Sequence, residues 1–191
     1  MPFNLTKRSF QSILAIIILS GLSACSSTPS SPSGKIIVLH EKDNKQATDI
    51  IVNTLLDEGY ETKKVNDTQF IVFYDQQTFI MEPKIVQGGL SRIVVNRVVR
   101  IKPEYRHSPE LQAMTTVLNR KLNFAKFSMI DHNKAGQVQA SITFINETVS
   151  TEEIRQFMLW LDDSLASVRS MVAPEVLQMI DSPNAVSVRK P

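Results

Sequence analysis

The chain has 191 residues, of which 42% are hydrophobic and 21% are charged. These values are typical of a globular protein of about one domain and exclude an extended disordered chain. The net charge is +2, but Lys7 and Arg8 are the only charged residues before position 25. The remainder carries 19 basic and 19 acidic residues. This balance gives no electrostatic reason to expect nucleic acid as a partner.

Residues 1–24 have the pattern of a secretory signal peptide. Lys7 and Arg8 form a short positive segment, residues 13–19 form an apolar run, and Ser23 and Ala24 are small residues that a signal peptidase accepts. A membrane-spanning helix needs about 20 apolar residues. The run is shorter than that, so a transmembrane anchor is the less favoured alternative.

The segment Leu22-Ser23-Ala24-Cys25 resembles the lipobox of bacterial lipoproteins. The resemblance implies cleavage between Ala24 and Cys25, a diacylglyceryl group on the cysteine sulfur, and an acyl chain such as palmitate on the new amine. A thiolate is the nucleophile that such a thioether needs. Ser26 rather than Asp follows the cysteine, which by analogy with enteric bacteria favours the outer membrane, facing the periplasm. A chance cysteine behind an ordinary signal peptide is the alternative.

The domain boundaries follow from composition. The stretch that precedes Lys35 contains Ser, Pro and Gly without apolar residues, a composition that favours a flexible tether over a folded element. The last residues look like a loose tail. We therefore predict a signal peptide at 1–24, a lipidated cysteine and tether at 25–34, a folded domain at 35–176 and a C-terminal tail at 177–191.

The first half of the domain alternates between strand and helix patterns. Residues 35–41 predict a strand, after which Asp43 and Gln46 form a capping box for a helix that Gly59 stops near position 58. The apolar period then changes to two. It predicts a meander of four strands at 60–65, 68–75, 78–86 and 91–102.

The second half repeats this alternation. Ser108-Pro109 predicts a helix start, and a strand hairpin follows around residues 131–136. Ser150 and Glu153 form a second capping box for a long last helix, whose length Pro174 limits. The whole order predicts an α+β domain: an antiparallel sheet with three helices that cover mainly one face.

No pattern in the domain predicts catalysis. His40, His107 and His132 share no metal-type spacing, and the acidic pairs occupy adjacent helix positions, where side chains point about 100° apart. The sequence has no glycine-rich phosphate loop and no GxSxG motif. Cys25 is the only cysteine, which excludes an internal disulfide framework and a cysteine zinc cluster. We therefore predict a protein that is not an enzyme and uses no metal or cofactor.

Two surfaces are candidates for binding. In the last helix Leu159 lies nearly opposite the buried stripe and Trp160 lies at its rim, so with Met171 they predict a hydrophobic partner site. Coverage by the first strand or the C-terminal tail is the alternative. A basic series predicts contact with anionic lipid headgroups or with a partner's acidic groups, although a solvated strand face would have the same pattern. The series comprises Arg92, Arg97, Arg100, Lys102 and Arg106.

Residues 47–173 resemble the YbjN family of bacterial sensory-transduction regulators. The matching segments are LLDEGYETKK (55–64), LNRKLNFAKFSM (118–129) and VSTEEIRQFMLWLDDSL (149–165). The resemblance implies an α-β-β-β-α-β-β-α core like that of type III secretion chaperones and binding of a protein partner without a catalytic centre. Members of the family typically have no lipobox and are cytoplasmic, so this chain departs from the family pattern in its expected localisation.

These observations predict a lipid-anchored envelope protein that acts as a non-catalytic adaptor or chaperone-like module. It would bind the membrane through its lipid and hold an unidentified envelope protein or peptide. The alternative is an immunity or inhibitor lipoprotein that neutralises an envelope toxin or hydrolase. An envelope enzyme with an unrecognised site is a third possibility. The sequence predicts no oligomeric state.

Overall fold

A computed structural model of the protein describes residues 34–145 and 147–181. The predicted signal peptide, its cleavage residue Ala24 and the lipidation site Cys25 lie outside the described residues, as do most of the tether and residues 182–191. No helix in the described ranges is both long enough and apolar enough to cross a membrane.

The described residues form eight β-strands, four α-helices and a 3₁₀ turn at Pro103–Tyr105. The strands are β1 (Ile36–Val38), β2 (Glu61–Lys64), β3 (Phe70–Tyr74), β4 (Gln77–Lys84), β5 (Ser91–Arg100), β6 (Lys126–Ile130), β7 (Ala135–Phe144) and β8 (Thr148–Ser150). The helices are α1 (Asn44–Asp57), α2 (Pro109–Lys121), α3 (Thr151–Met171) and α4 (Pro174–Leu177). The predicted α+β class, an antiparallel sheet with three long helices, is confirmed.

Six strands form one antiparallel sheet in the order β2-β3-β4-β5-β7-β6. The four predicted meander strands are neighbours in this order. β7 pairs with the whole of β5, from Ser91 opposite Phe144 to Arg100 opposite Ala135, and leaves β6 at the edge. β1 pairs with β8 in a separate two-stranded sheet. Neither β8 nor this separate sheet is predicted by the sequence patterns.

The three long helices lie on one face of the six-stranded sheet. Strand alternation points Phe79 and Met81 of β4 and Val95 of β5 to this face, where α1 and α3 cover them. Ile51 of α1 and Met158 of α3 are fully buried in the same core. Full burial of a side chain of this size contributes about 1.5–3 kcal/mol. The hydrophobic face of the sheet therefore fixes where the helices lie.

Both predicted capping boxes are present. The Gln46 backbone N–H donates to Asp43 Oδ1 at 2.7 Å, and the Asp43 N–H donates to Gln46 Oε1 at 3.1 Å. At α3 the Glu153 N–H donates to Ser150 Oγ at 3.0 Å, and the Ser150 N–H donates to Glu153 Oε2 at 2.6 Å. These bonds satisfy backbone donors that the first turn of a helix would leave without partners. Since Ser150 also ends β8, the second box fixes where the chain turns from strand into helix.

The end of the described chain is more structured than the sequence indicated. α3 ends at Met171, and Pro174 begins the short helix α4. Residues 178–181 then return to the sheet, where Ile180 forms an antiparallel bridge with Ile101, just beyond β5. We call residues 172–181 the C-terminal hook. It includes the first residues of the segment that was predicted to be a loose tail.

Candidate binding site

A cavity of about 240 Å³ lies between α2, α3, the C-terminal hook and the helix-covered face of the sheet. Its lining is mainly aliphatic. Val99 and Val138 form part of the sheet wall, and Leu118 of α2 and Leu165 of α3 lie on the helix side. The exposed residue Ala166 also lines the cavity, so the cavity opens to the surface beside α3.

The cavity lies where α2 packs loosely on the sheet and where Gly136 leaves room for the Val99 side chain. Gly136 of β7 pairs with Val99, and a Cβ atom at Gly136 would lie only 3.2 Å from Val99 Cγ2. Of the α2 residues only Leu111 is fully buried, so α2 does not fill the space over this part of the sheet. An empty apolar space costs stability because its lining atoms lack contacts. An apolar ligand that enters it would regain them.

Two charged side chains of the cavity wall, Arg97 and Asp162, neutralise each other, whereas the third charged lining residue, Arg169, is exposed to solvent. Arg97 Nη1 donates to Asp162 Oδ1 at 2.9 Å, and Arg97 Nη2 donates to Gln77 Oε1. The guanidinium carbon also lies 4.8 Å from the centre of the Phe79 ring, a cation–π geometry. Only 11% of the Arg97 side chain is exposed. Arg97 therefore belongs to the interior of the domain rather than to an exposed basic series.

The rest of the predicted basic series is divided between different environments. Arg92 and Arg100 are exposed and, by strand alternation, point to the sheet face opposite Arg97. Lys102 and Arg106 are half-buried near the hook, and Arg106 Nε is buried without a hydrogen-bond partner among the described residues. The sheet does not gather these five cations into one site. Contact of Arg92, Arg100 and Lys102 with anionic groups stays a prediction.

Trp160 belongs to an aromatic cluster that reaches the cavity wall. We define this aromatic cluster as Phe124, Phe127, Phe157 and Trp160. The Trp160 ring lies 5.5 Å from Phe124 and 5.3 Å from Phe157, and Phe124 lies 6.4 Å from Phe127, which lines the cavity. Trp160 is still 44% exposed. Phe124, in the segment between α2 and β6, therefore covers part of the Trp160 ring. The alternative that the sequence left open was coverage by the first strand or by the C-terminal tail.

The other two residues of the predicted partner site lie apart from the cavity. Leu159 is half-buried and shares a shallow depression on α3 with Trp160. Met171, at the end of α3, is 66% exposed. Their role in partner binding stays a prediction. The cavity itself was not predicted, although an isolated glycine in a strand, here Gly136, often marks a close approach of another group.

The described ranges contain no group of three histidine, cysteine or acidic side chains placed to hold a metal ion. No family model and no curated protein matches the chain. One similar solved structure is YbjN from E. coli, described as a proposed transcription regulator. It is 15% identical, with a TM-score of 0.48 over 71% of this chain and 96% of that one. At this identity and score the likeness assigns neither a family nor a function to the chain.

Proposed function

We propose that the protein is a non-catalytic binding module of the bacterial envelope, anchored by lipid at Cys25 and facing the periplasm from the outer membrane. Its ligand is an apolar segment of another envelope protein or peptide. The observation that carries the proposal is the apolar cavity that opens beside α3. The lipobox resemblance supports the anchor.

The size and lining of the cavity favour side chains of a peptide over a cofactor. Sites for drug-sized ligands usually enclose about 300–1,000 Å³, whereas this cavity encloses about 240 Å³. Met114 and Met129 contribute flexible thioether side chains that adapt to different apolar shapes. Asp162 neutralises Arg97 and Arg169 is exposed to solvent, so the mainly aliphatic lining favours apolar groups.

Photocrosslinking tests the proposed site. A benzophenone amino acid at Met114 would face the cavity, whereas the same group at the exposed residue Gln112 would lie outside its lining. In intact envelopes we expect Met114 to crosslink one aliphatic peptide segment, identified by mass spectrometry, and Gln112 not to do so. Crosslinking of unrelated proteins at both positions in equal yield would refute the proposal.

A variant that blocks the cavity can be compared with a variant that carries the same substitution outside it. Ala166→Phe should fill the opening and abolish the crosslink from Met114. Ala113→Phe, at an exposed α2 position outside the lining, should leave it unchanged. If the crosslinked segment belongs to a toxin or a hydrolase, the immunity or inhibitor alternative gains support.

The anchor is tested separately. Because thioether formation needs the cysteine sulfur, Cys25→Ala should move the protein from the membrane fraction to the soluble fraction after cell fractionation, and it should abolish labelling by radioactive palmitate. Membrane association that persists in the Cys25→Ala variant would contradict the anchor without bearing on the cavity.

A further inference from the structure

The C-terminal hook occupies a strand edge that β4 leaves free. The regular pairing of β4 with β5 ends at Ile80 opposite Asn96, before β5 itself ends. Beyond it the Lys102 N–H donates to the Met179 carbonyl at 3.1 Å, and the Asp181 N–H donates to the Arg100 carbonyl at 2.9 Å. The hook is therefore held as a short antiparallel strand added to the sheet.

The hook also supplies part of the cavity lining. Val176, Leu177 and Ile180 line the cavity, yet no residue of α4 is fully buried. One side-chain hydrogen bond joins the hook to the rest of the described residues, from Ser108 Oγ to Met179 Sδ at 3.7 Å. Segments held by few buried contacts open locally at a smaller free-energy cost than a core strand does.

We propose that the hook is a displaceable segment in a peptide-binding groove, which is formed by the strand edge at residues 100–102, where β5 ends, together with the cavity. The partner is an acidic, aliphatic peptide segment that replaces the hook by antiparallel strand addition. The identity of the partner as an envelope protein rests on the proposed function, whereas displacement of the hook does not.

The hook itself defines the chemistry of this partner. Its aliphatic residues Leu177 and Ile180 are three positions apart and enter the cavity, and its main chain pairs with residues 100–102. Strand addition of this kind takes affinity from main-chain hydrogen bonds and specificity from side-chain pockets.

Charge adds a second criterion. The hook carries Glu175 and Asp181 and no basic residue, whereas the strand edge that it pairs with carries Arg100 and Lys102. A segment with acidic residues at the corresponding positions complements that edge, and a basic segment does not.

Amide hydrogen exchange on the full chain tests the displacement without a variant or a partner. The Lys102 N–H bonds to the hook, whereas the Ile101 N–H bonds to the Lys134 carbonyl on the β7 side at 2.9 Å. The two amides are adjacent in sequence and differ in the segment that protects them. After correction for intrinsic rates, we expect Lys102 to exchange about 100-fold faster than Ile101 through local opening. Equal protection of the two amides would overturn the proposal.

Rebinding in trans tests the groove. Ile180→Asp should accelerate exchange at Lys102 and leave Ile101 unchanged. A synthetic peptide with the sequence of residues 174–181 should then restore protection at Lys102, and a peptide with Asp at both aliphatic positions should not. If the hook opens but the first peptide gives no protection, the groove does not accept a segment in trans and the proposal fails. Neither failure would change the crosslinking result expected for the cavity.

Discussion

At the scale of single residues, Asn119 protects the free edge of the sheet. β6 is an edge strand, and the Asn119 carboxamide bonds to both main-chain groups of Phe127 on that strand. Asn119 Nδ2 donates to the Phe127 carbonyl at 2.7 Å, and the Phe127 N–H donates to Asn119 Oδ1 at 2.8 Å. The side chain thus takes the place of a neighbouring strand, where an unprotected edge would invite pairing with another molecule.

Replacement of Asn119 should weaken the fold and expose this edge. Asn119→Ala removes both hydrogen bonds, so we expect the free energy of unfolding to fall by about 1–2 kcal/mol. Self-association should rise as well. Denaturant titration and light scattering measure the two effects. Asn123→Ala is the matched control, because Asn123 is exposed and has no side-chain hydrogen bond within the described part of the chain. Equal losses in both variants would contradict the role of Asn119.

At the scale of elements, local signals predicted the helices, the four-strand meander and the β6–β7 hairpin, but not how the strands pair beyond these units. The caps at Asp43 and Ser150 depend on residues three positions apart, so the sequence contains them in full. The insertion of β7 between β5 and β6 depends on contacts between distant segments. β8 has only three residues, too few to establish a period.

In the candidate site, too, features that depend on local sequence were predictable, and features that depend on contacts between distant segments were not. The sequence drew attention to Trp160, whose position on a helix face can be worked out from spacing alone. The cavity is a gap between elements, set by how closely α2 and α3 approach Gly136, and no local pattern encodes that distance.

The aromatic cluster should stabilise the packing of α3 against the segment that precedes β6. Trp160→Ala removes two aromatic contacts, each worth about 0.5–1.5 kcal/mol beyond simple burial. We expect a cooperative unfolding transition at a lower temperature and a weaker near-ultraviolet circular dichroism signal. Met171→Ala, at a more exposed position of the same helix, should leave both measurements nearly unchanged. An unchanged unfolding temperature in Trp160→Ala would show that the Trp160 ring does not contribute to the stability of the fold.

At the scale of the whole molecule, two carboxylates are held by several hydrogen bonds each. Glu147 connects segments that are distant in sequence, and Glu152 lies in the first turn of α3, the longest helix. Glu147 Oε2 lies 2.6 Å from His40 Nδ1, and Glu147 Oε1 accepts the Gly88 N–H at 3.1 Å. The carboxylate therefore joins the start of β8 to the segment after β1 and to the β4–β5 connection. Near the start of α3, Glu152 accepts two bonds from Arg155, at 2.7 and 2.6 Å, and one from Gln156 at 2.7 Å.

These hydrogen bonds make the stability of the fold depend on pH in the acidic range. The bond with His40 and the Gly88 N–H lower the pKa of Glu147, and the bonds from Arg155 and Gln156 lower the pKa of Glu152 from 4.5 to about 2. A depressed pKa in the folded state means that each carboxylate stabilises the fold fully above its unfolded pKa. That contribution is lost as the pH falls through the folded-state pKa.

Stability should therefore decline as the pH falls below 4.5, for Glu152 down to about 2, and the decline should be shallower in Glu147→Gln and Glu152→Gln. Both variants should also be less stable than the unmodified protein at neutral pH, because each loses a hydrogen-bonded anion. Urea titrations at a series of pH values measure this dependence. Glu104→Gln is the control, since the Glu104 side chain has no hydrogen bond or ion pair to any described residue. If the Glu152→Gln curve has the same slope as the Glu104→Gln curve, ionisation of Glu152 is not coupled to folding.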